Sequence, residues 1–169
     1  GTFDTLNDNT MKGKPADGLH LFNDPLMRRV WNKPFGLYGV IAEKVVLPQD
    51  RSQRTFFLNP DARFHDGTPI STKDVEFSFN TLKEKGKPNT QNVYKIVDKV
   101  IITSPHEITF TFKNGYDRET ALILAMMPIY SKQYWQDKDF DKTTFNIPVG
   151  SGPYKIHSMN EGKSITYEK

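Results

Sequence analysis

The chain has 169 residues with 23 Lys and Arg against 20 Asp and Glu, and it is 36% hydrophobic and 12% aromatic. This length suits one domain, and the aromatic content excludes a disordered or low-complexity chain. The net charge of +3, with both signs mixed along the sequence, argues against a nucleic-acid-binding arm. The absence of cysteine excludes disulfides, thiolate metal sites and a cysteine nucleophile. The longest apolar run, residues 121–129, is too short to cross a membrane.

The first part of the sequence predicts little regular structure. Residues 1–20 are rich in Gly, Asn, Asp, Thr and Pro and predict a loop. Apolar side chains then recur at helical spacing over residues 19–30. This pattern predicts a helix that begins near Asn23 and carries Pro25 in its first turn, where proline is tolerated. Residues 31–50 predict an irregular stretch with two short apolar segments.

Turn residues divide the next segment into short strands. Residues 54–59 are rich in β-branched and aromatic side chains and predict a strand. Residues 63–65 predict a shorter strand, which ends at Asp66 and Gly67. An Asp-Gly pair supplies the positive-φ residue that a tight turn needs.

The strongest local signal is a helix over residues 72–85. Ser71 has the side chain of an N-cap, and Asp74 stands three residues later, as in a capping box. The apolar residues that follow form a one-sided stripe. Gly86 is a candidate for the left-handed residue after the helix, and Pro88 prevents the helix from continuing.

The second half of the chain predicts two hairpins and two further helices. Residues 107–113 alternate between apolar and polar side chains, which indicates a strand with one buried face. The other predicted elements are a strand at 97–103, helices at 117–126 and 131–136, a loop at 137–148, and a final hairpin of strands 154–159 and 164–168. Because the chain opens without Met and closes on a strand pattern, we expect it to be a piece of a longer polypeptide.

The residues alone show no catalytic constellation. The four histidines, His20, His65, His106 and His157, are scattered without metal-ligand spacing. No nucleophile, base and orienting group stand together, so we predict that the chain is not an enzyme and holds no metal or cofactor. The Gly150-Ser151-Gly152 run predicts a backbone crossing at which glycine adopts a positive φ.

Other residues leave binding roles open. The stretch Lys12-Gly13-Lys14-Pro15 could receive an anion or a peptide backbone, or form a solvated loop. Several aromatic residues could stack a ligand, although their spacing favours packing for most of them: Trp31, Phe35, Tyr38, Tyr94, Tyr130, Tyr134 and Trp135.

Taken in order, several segments resemble the family 5 extracellular solute-binding proteins, the peptide-binding components of ABC importers. The most specific is residues 63–79, read as RFHDGTPISTKDVEFSF, which is similar to the family pattern FxDGxPxTAxDVxFSF. Residues 150–154, GSGPY, and the opening residues 3–7 also resemble the family. Asp8 stands where the family usually has Pro. Residues 35–43 and the Lys12 region are most similar to the YejA-type oligopeptide binders.

The resemblance implies an α+β fold, namely a fragment of the class II periplasmic-binding-protein fold with mixed antiparallel strands and two to four helices. It implies three parts: residues 1–27 at the edge of lobe one, residues 28–147 as an inserted subdomain, and residues 148–169 as return strands of lobe one. The second lobe would be absent. Because one lobe alone offers half of the contacts and cannot close over a ligand, we expect weak binding or none.

The implied function is the capture of oligopeptides in the periplasm, as a monomer that delivers them to an ABC permease and has no nucleic-acid partner. By position, the family's ligand-contacting loop corresponds to Lys12, Gly13 and Lys14. The two lysines depart from an acidic residue found in some relatives, which leaves the ligand charge open. The alternatives are another cargo, such as a nickel chelate, haem or a peptide-like antibiotic, or a protein-interaction module.

Overall fold

The computed structural model describes residues 2–114 and 118–169, which form an α+β fold with eight strands and four α-helices. A four-stranded antiparallel sheet has the order β3-β4-β6-β5. Two smaller antiparallel pairs, β1-β2 and β7-β8, stand apart from it. The strands are β1 (Met27–Arg29), β2 (Leu37–Gly39), β3 (Ala42–Val46), β4 (Gln53–Leu58), β5 (Val97–Ser104), β6 (Glu107–Phe112), β7 (Lys155–Asn160) and β8 (Ser164–Glu168).

The helices pack against the larger sheet and bury the apolar stripe read from the sequence. Their bounds are α1 (Thr72–Lys85), α2 (Pro88–Tyr94), α3 (Arg118–Ala125) and α4 (Lys132–Trp135). In α1 the stripe residues Val75, Phe79 and Leu82 are buried. In β4, Phe56 and Leu58 alternate with less buried neighbours. These residues belong to one large apolar cluster that reaches from Leu26 to Phe140 along the chain.

The start of α1 confirms the capping prediction in full. The Ser71 side chain accepts from Lys73 N, and Asp74 Oδ2 accepts from Ser71 N at 2.9 Å. Asp74 Oδ1 also accepts from Lys132 N at 3.0 Å, which ties the start of α1 to the start of α4. One carboxylate therefore satisfies backbone donors of two elements.

A second, smaller apolar cluster joins the two ends of the chain. It contains Phe3, Leu6, Ala16, Leu19, Phe22 and Ile156. The return segment crosses beside Phe22, whose carbonyl accepts from Ser151 N at 3.0 Å and from Gly152 N at 2.8 Å. This crossing connects the small cluster to the large one.

The helix predicted to begin near Asn23, from the apolar spacing over residues 19–30, is wrong. The structure has a single 3-10 turn at Leu19–Leu21 and the strand β1, while Pro25 forms an isolated bridge with Pro128. Leu19 and Phe22 enter the small cluster, whereas Leu26 enters the large one. The apolar spacing therefore reflects a chain that passes between two clusters and imitates the period of a helix.

Smaller corrections concern glycines, one proline and one strand. Gly86 caps α1 in an extended conformation with φ −70°, and Pro88 begins α2 one residue after the N-cap Lys87. The predicted strand 63–65 is reduced to a bridge between Arg63 and Pro69. Gly67 has the expected positive φ of 85°. The predicted start of the third helix at Asp117 lies outside the described residues.

The run Gly150-Ser151-Gly152 is a crossing, as predicted, but it needs glycine for closeness and not for a positive φ. A Cβ at Gly152 would lie 2.0 Å from Leu21 O, and one at Gly150 would lie 2.3 Å from Phe22 O. Neither glycine has a φ in the left-handed region. Only a residue without a side chain lets the two backbones approach this closely.

Candidate functional site

Long-range hydrogen bonds hold the N-terminal segment against the far part of the chain. The buried Asn7 Nδ2 donates to Phe140 O and, at 3.0 Å, to Lys142 O. Two residues further on, Asn9 Nδ2 donates to the Tyr130 hydroxyl oxygen at 3.2 Å. Asp8 lies between the two asparagines. These bonds therefore place it in a wall whose residues lie more than a hundred positions apart in the sequence.

Two cavities share this wall. One has a volume of about 470 Å³ and the other about 250 Å³, and both are lined by Asp8, Met126, Pro128 and Tyr130. The larger cavity extends to Asn89 and Thr90 of α2. The smaller one extends in the other direction to His20 and Arg28.

A third cavity, of about 600 Å³, adjoins the smaller one through shared lining residues. It shares His20 and Arg28 with that cavity and ends at Trp31 and Tyr38. The β1-β2 register pairs Arg28 with Tyr38, and Trp31 is fully exposed in the connecting turn.

We call these three cavities, which share lining residues, the groove. It combines an exposed aromatic end, a middle with the charged residues Asp8 and Arg28, and a mostly apolar end that includes Tyr94 and Tyr130. Apolar walls with a few polar groups are typical of small-molecule sites.

Asp8 places a perturbed carboxyl group in the groove's middle section. Burial raises the pKa of this carboxyl, while its own backbone hydrogen bond and the charges of Lys87 and His20 oppose the shift. Asn9 Nδ2 donates to Asp8 Oδ1 at 3.2 Å. A desolvated carboxylate in an apolar wall gains free energy when a cationic group approaches it.

Tyr130 and Arg28 supply the neighbouring polar groups. Burial raises the pKa of Tyr130 well above its ordinary value, and the charge of Asp8 raises it further. Tyr130 therefore stays a neutral phenol that can donate or accept a hydrogen bond. Arg28 is fixed by an ion pair with Asp24, 2.9 Å from guanidinium nitrogen to carboxylate oxygen. Burial raises the pKa of Asp24, and Arg28 opposes that shift.

This set of residues suits binding. Among the described residues that line the groove, no serine stands beside a histidine to form a nucleophile and base pair. In residues 2–114 and 118–169, no group of three or more His, Asp or Glu side chains could hold a metal ion. The described helices include none that is long and apolar enough to span a bilayer.

The predicted contact residues Lys12, Gly13 and Lys14 lie in an exposed loop outside these three cavities. Asp4 pins the loop: its carboxylate accepts from Lys14 N at 2.5 Å, and its own N–H donates to Lys14 O at 2.9 Å. Gly13 has φ 99°, and a Cβ there would lie 2.7 Å from the Asp4 carboxylate. The loop thus has a fixed backbone, and its contact with ligand stays a prediction.

Some of the groove's residues could be predicted from the sequence. Of the candidate stacking aromatics, Trp31 and Tyr38 are exposed at one end of the groove, and the buried Tyr94 and Tyr130 line its largely apolar cavity. Trp135 is buried in the large cluster. Asp8 was visible only as a departure from the proline that the resembling family has there. No local pattern links Asp8 to Tyr130, because only the folded chain brings them together.

The comparisons with known proteins agree with this fold. The sequence model of the bacterial extracellular solute-binding proteins, family 5 Middle, matches residues 36–169. The chain belongs to this family, which confirms the resemblance seen in residues 63–79. The family is non-enzymatic, so the prediction that the chain is not an enzyme is also confirmed.

Individual relatives are longer than this chain. The probable peptide-binding protein YejA of Agrobacterium fabrum is 38% identical over 176 residues, which cover 100% of this chain and 28% of that protein. The peptidoglycan-binding protein YepA of the same organism is also 38% identical and is covered to 29%. The periplasmic binding protein DppA of Helicobacter pylori, solved with the peptide STSA, superposes with a TM-score of 0.76 at 22% identity. That superposition covers 100% of this chain and 37% of DppA.

Proposed function

We propose that this chain forms one face of the ligand-binding cleft of a periplasmic receptor that captures oligopeptides for an ABC importer. Family membership supports the class of function. The observation that carries the proposal is the groove itself: three cavities that share lining residues, with the desolvated carboxylate of Asp8 and the guanidinium of Arg28 in the middle one. The exposed loop with Lys12, Gly13 and Lys14 adds a second contact surface in this proposal.

The charges of the groove fit an extended zwitterionic chain. Asp8 offers an anionic partner for an amino group, and Arg28 offers a cationic partner for a carboxylate. Met126 and Pro128 line the same cavity as these two charged residues and present apolar surface that accepts varied side chains. Recognition of the ends and of the backbone, with tolerant pockets between, suits a receptor that takes many peptides.

The predicted division into three parts stays part of the proposal. Residues 28–147 would be the inserted subdomain of lobe one, with residues 1–27 and 148–169 at its base. The two apolar clusters support this division, since the small one draws mainly on both ends of the chain. The chain spans under a third of the length of the curated relatives named above. A closing second lobe and an ABC permease would therefore belong to the whole receptor, which we propose to be a monomer.

The chain by itself is expected to bind short peptides weakly, because one face cannot enclose a ligand and exclude water. Titration calorimetry of the chain with a mixture of tri- to hexapeptides should show millimolar binding or none. Micromolar or tighter binding by the chain alone would contradict the proposal of an incomplete cleft.

The test of the cargo uses the longer receptor in which we propose that this chain lies. Mass spectrometry of the ligands retained through purification should reveal a mixed set of short peptides. A single metal chelate, haem or antibiotic would favour the other-cargo alternative, and a retained protein would favour an interaction module. The variants Asp8→Asn and Arg28→Gln should reduce peptide retention, whereas Lys163→Gln, in the exposed β7-β8 turn, should not.

A second cargo class has one specific observation behind it. YepA, as similar to this chain as YejA is, is named for peptidoglycan binding. Peptides released from peptidoglycan carry free amino and carboxylate groups, so Asp8 and Arg28 would receive them by the same chemistry. Comparing the retention of a peptidoglycan-derived peptide with that of an ordinary peptide of equal length separates the two classes.

A further inference from the structure

The exposed end of the groove, the cavity of about 600 Å³, is walled by one hairpin and one short turn. Trp31 and Tyr38 of the β1-β2 hairpin line it, and Val30 together with Leu21 of the 3-10 turn completes its apolar wall. We call it the aromatic cavity. No Asp or Glu stands among its described lining residues, whereas both other cavities of the groove are lined by Asp8.

The β1-β2 hairpin has one side in the core and the other in the aromatic cavity. Met27 is buried in the large cluster, and Leu37 packs against that cluster. Arg28 and Tyr38, which the register pairs with each other, alternate with these two residues and line the cavity. Tyr38 is 49% exposed, and Trp31, in the connecting turn, is fully exposed. Neither ring therefore contributes to the core.

The two rings also lack a partner of their own within residues 2–114 and 118–169. Neither forms an aromatic pair or a cation–π contact with a described residue. Large aromatic side chains carry much of the free energy of binding at interfaces, because each buries a wide apolar area with little loss of side-chain entropy. Two such rings beside one cavity form a surface that gains free energy when an apolar or aromatic group covers it.

Arg28 determines which part of a peptide lies beside the aromatic cavity. It lines both this cavity and the middle cavity that contains Asp8. Its side chain is 33% exposed, and of its five N–H donors those on Nη2 face Asp24. In the proposed function Arg28 receives the carboxylate of the peptide. The side chain of the residue that carries this carboxylate then lies next to Trp31 and Tyr38.

We propose that the aromatic cavity makes the receptor prefer peptides whose C-terminal residue is aromatic. This inference rests on the proposed function, because it takes the orientation of the peptide from the role of Arg28. A phenyl or indole ring packs against Trp31 and Tyr38 in the edge-to-face or offset geometry that aromatic pairs favour. A volume of about 600 Å³ has room for the largest side chains. A Lys or Arg side chain would find no counter-ion among the described lining residues.

The preference is tested on the longer receptor by titration calorimetry with three peptides of equal length. Ala-Ala-Phe carries its ring next to the carboxylate, Phe-Ala-Ala has the same composition with the ring at the other end, and Ala-Ala-Ala has no ring. We expect Ala-Ala-Phe to bind about tenfold more tightly than Ala-Ala-Ala, as one buried aromatic contact provides.

Two variants assign the preference to the cavity. Trp31→Ala and Tyr38→Ala should each remove most of the tenfold preference for Ala-Ala-Phe over Ala-Ala-Ala, whereas Tyr38→Phe, which keeps the ring, should retain it. The ratio of the affinities for Phe-Ala-Ala and Ala-Ala-Ala should stay the same in both alanine variants. Ile101→Ala removes a similarly exposed apolar side chain from β5, outside the groove, and should leave all three affinities unchanged.

Three results would overturn the inference while peptides still bind: equal affinities for Ala-Ala-Phe and Ala-Ala-Ala, a preference that survives in both alanine variants, or a loss in those variants that affects Phe-Ala-Ala instead. Because both rings are exposed, the variants should keep the melting temperature of the parent receptor. A lower melting temperature in both would show that the rest of the receptor already covers the rings, which also overturns the inference. If none of the three peptides binds, the proposed function itself fails, so the two failures are distinguishable.

Discussion

Asp8 sits in the groove wall as a carboxylate that the fold partly removes from water. Burial raises its pKa above the ordinary value of 3.8. The folded chain therefore binds a proton more tightly than the unfolded chain, and stability falls as pH rises from 3.8 through the raised pKa. Above that window the cost of the charged form remains in full.

The variant Asp8→Asn removes this cost while keeping the shape of the side chain. We expect it to be more stable than the parent chain at neutral pH, with the gain vanishing below pH 3.8. Urea unfolding at a series of pH values measures the difference. Asp98→Asn, at an exposed position of β5, should show no such pH-dependent gain. An Asp8→Asn variant that is less stable at neutral pH would mean that Lys87 and His20 outweigh the burial.

Gly152 is needed because a side chain there would collide with the neighbouring backbone, whereas Gly67 is needed for its positive φ. Gly152→Ala would force a methyl group to within 2.0 Å of Leu21 O, so it should cost about 2 kcal/mol or more through overpacking. A Cβ at Gly67 would meet no other atom within 4 Å, but the residue has a φ of 85°. Gly67→Ala should therefore cost only about 1 kcal/mol, from the strained backbone angle.

A replacement that tolerates a positive φ separates the two causes. Gly67→Asn should recover most of the loss at that position, since asparagine visits the left-handed region. Gly152→Asn should be at least as damaging as Gly152→Ala. Chemical unfolding of the four variants provides the comparison, and equal losses at the two positions would refute the distinction.

The first turn of α1 depends on two side chains with unequal roles. Ser71→Ala removes one side-chain acceptor and should cost about 1 kcal/mol, as N-cap replacements do. Asp74→Ala leaves both Ser71 N and Lys132 N without their acceptor, so it should cost about 3 kcal/mol. Urea unfolding measures both, with the exposed Ser158→Ala as control. Equal losses at Ser71 and Asp74 would contradict the bridging role of the carboxylate.

Elements specified by short-range patterns were predicted well. The helix α1 carries its cap, its stripe and its end within sixteen residues. In the β5-β6 hairpin, β6 alternates between apolar and polar residues and follows a short connection, so this pair was also predicted correctly. The helix predicted to begin near Asn23 failed because two different clusters produced the apolar spacing over residues 19–30. The β1-β2 pair was missed since each strand has only three residues, too few for a period to show.

The groove was harder to predict from the sequence than the fold was. Its wall depends on Asn7 reaching Phe140 and on Asn9 reaching Tyr130, and neither contact has a local signature. The exposed aromatics at its open end were candidates, but packing and stacking roles look alike in a sequence.

At the scale of the whole chain, the two apolar clusters differ in size. Of the described residues, 24 are buried in the large cluster and 6 in the small one. The small cluster is covered by the two-stranded β7-β8 pair, whereas the large one lies against a four-stranded sheet. A two-stranded pair that covers few buried side chains gains little free energy from packing, so it opens locally at low cost.

Amide hydrogen exchange should therefore be faster around the small cluster than around the large one. We expect the amides of β7 and β8 to exchange at least about tenfold faster than those of β4 and β6, because local opening of the small cluster costs less than opening of the large one. Ile156→Ala should speed exchange mainly in β7 and β8. Ile108→Ala, in the large cluster, should speed it throughout, since the small cluster docks on the rest through the Phe22 crossing. Equal protection in β6 and β8 would show instead that the hydrogen bonds from Ser151 and Gly152 to Phe22 O join both clusters into one cooperative unit.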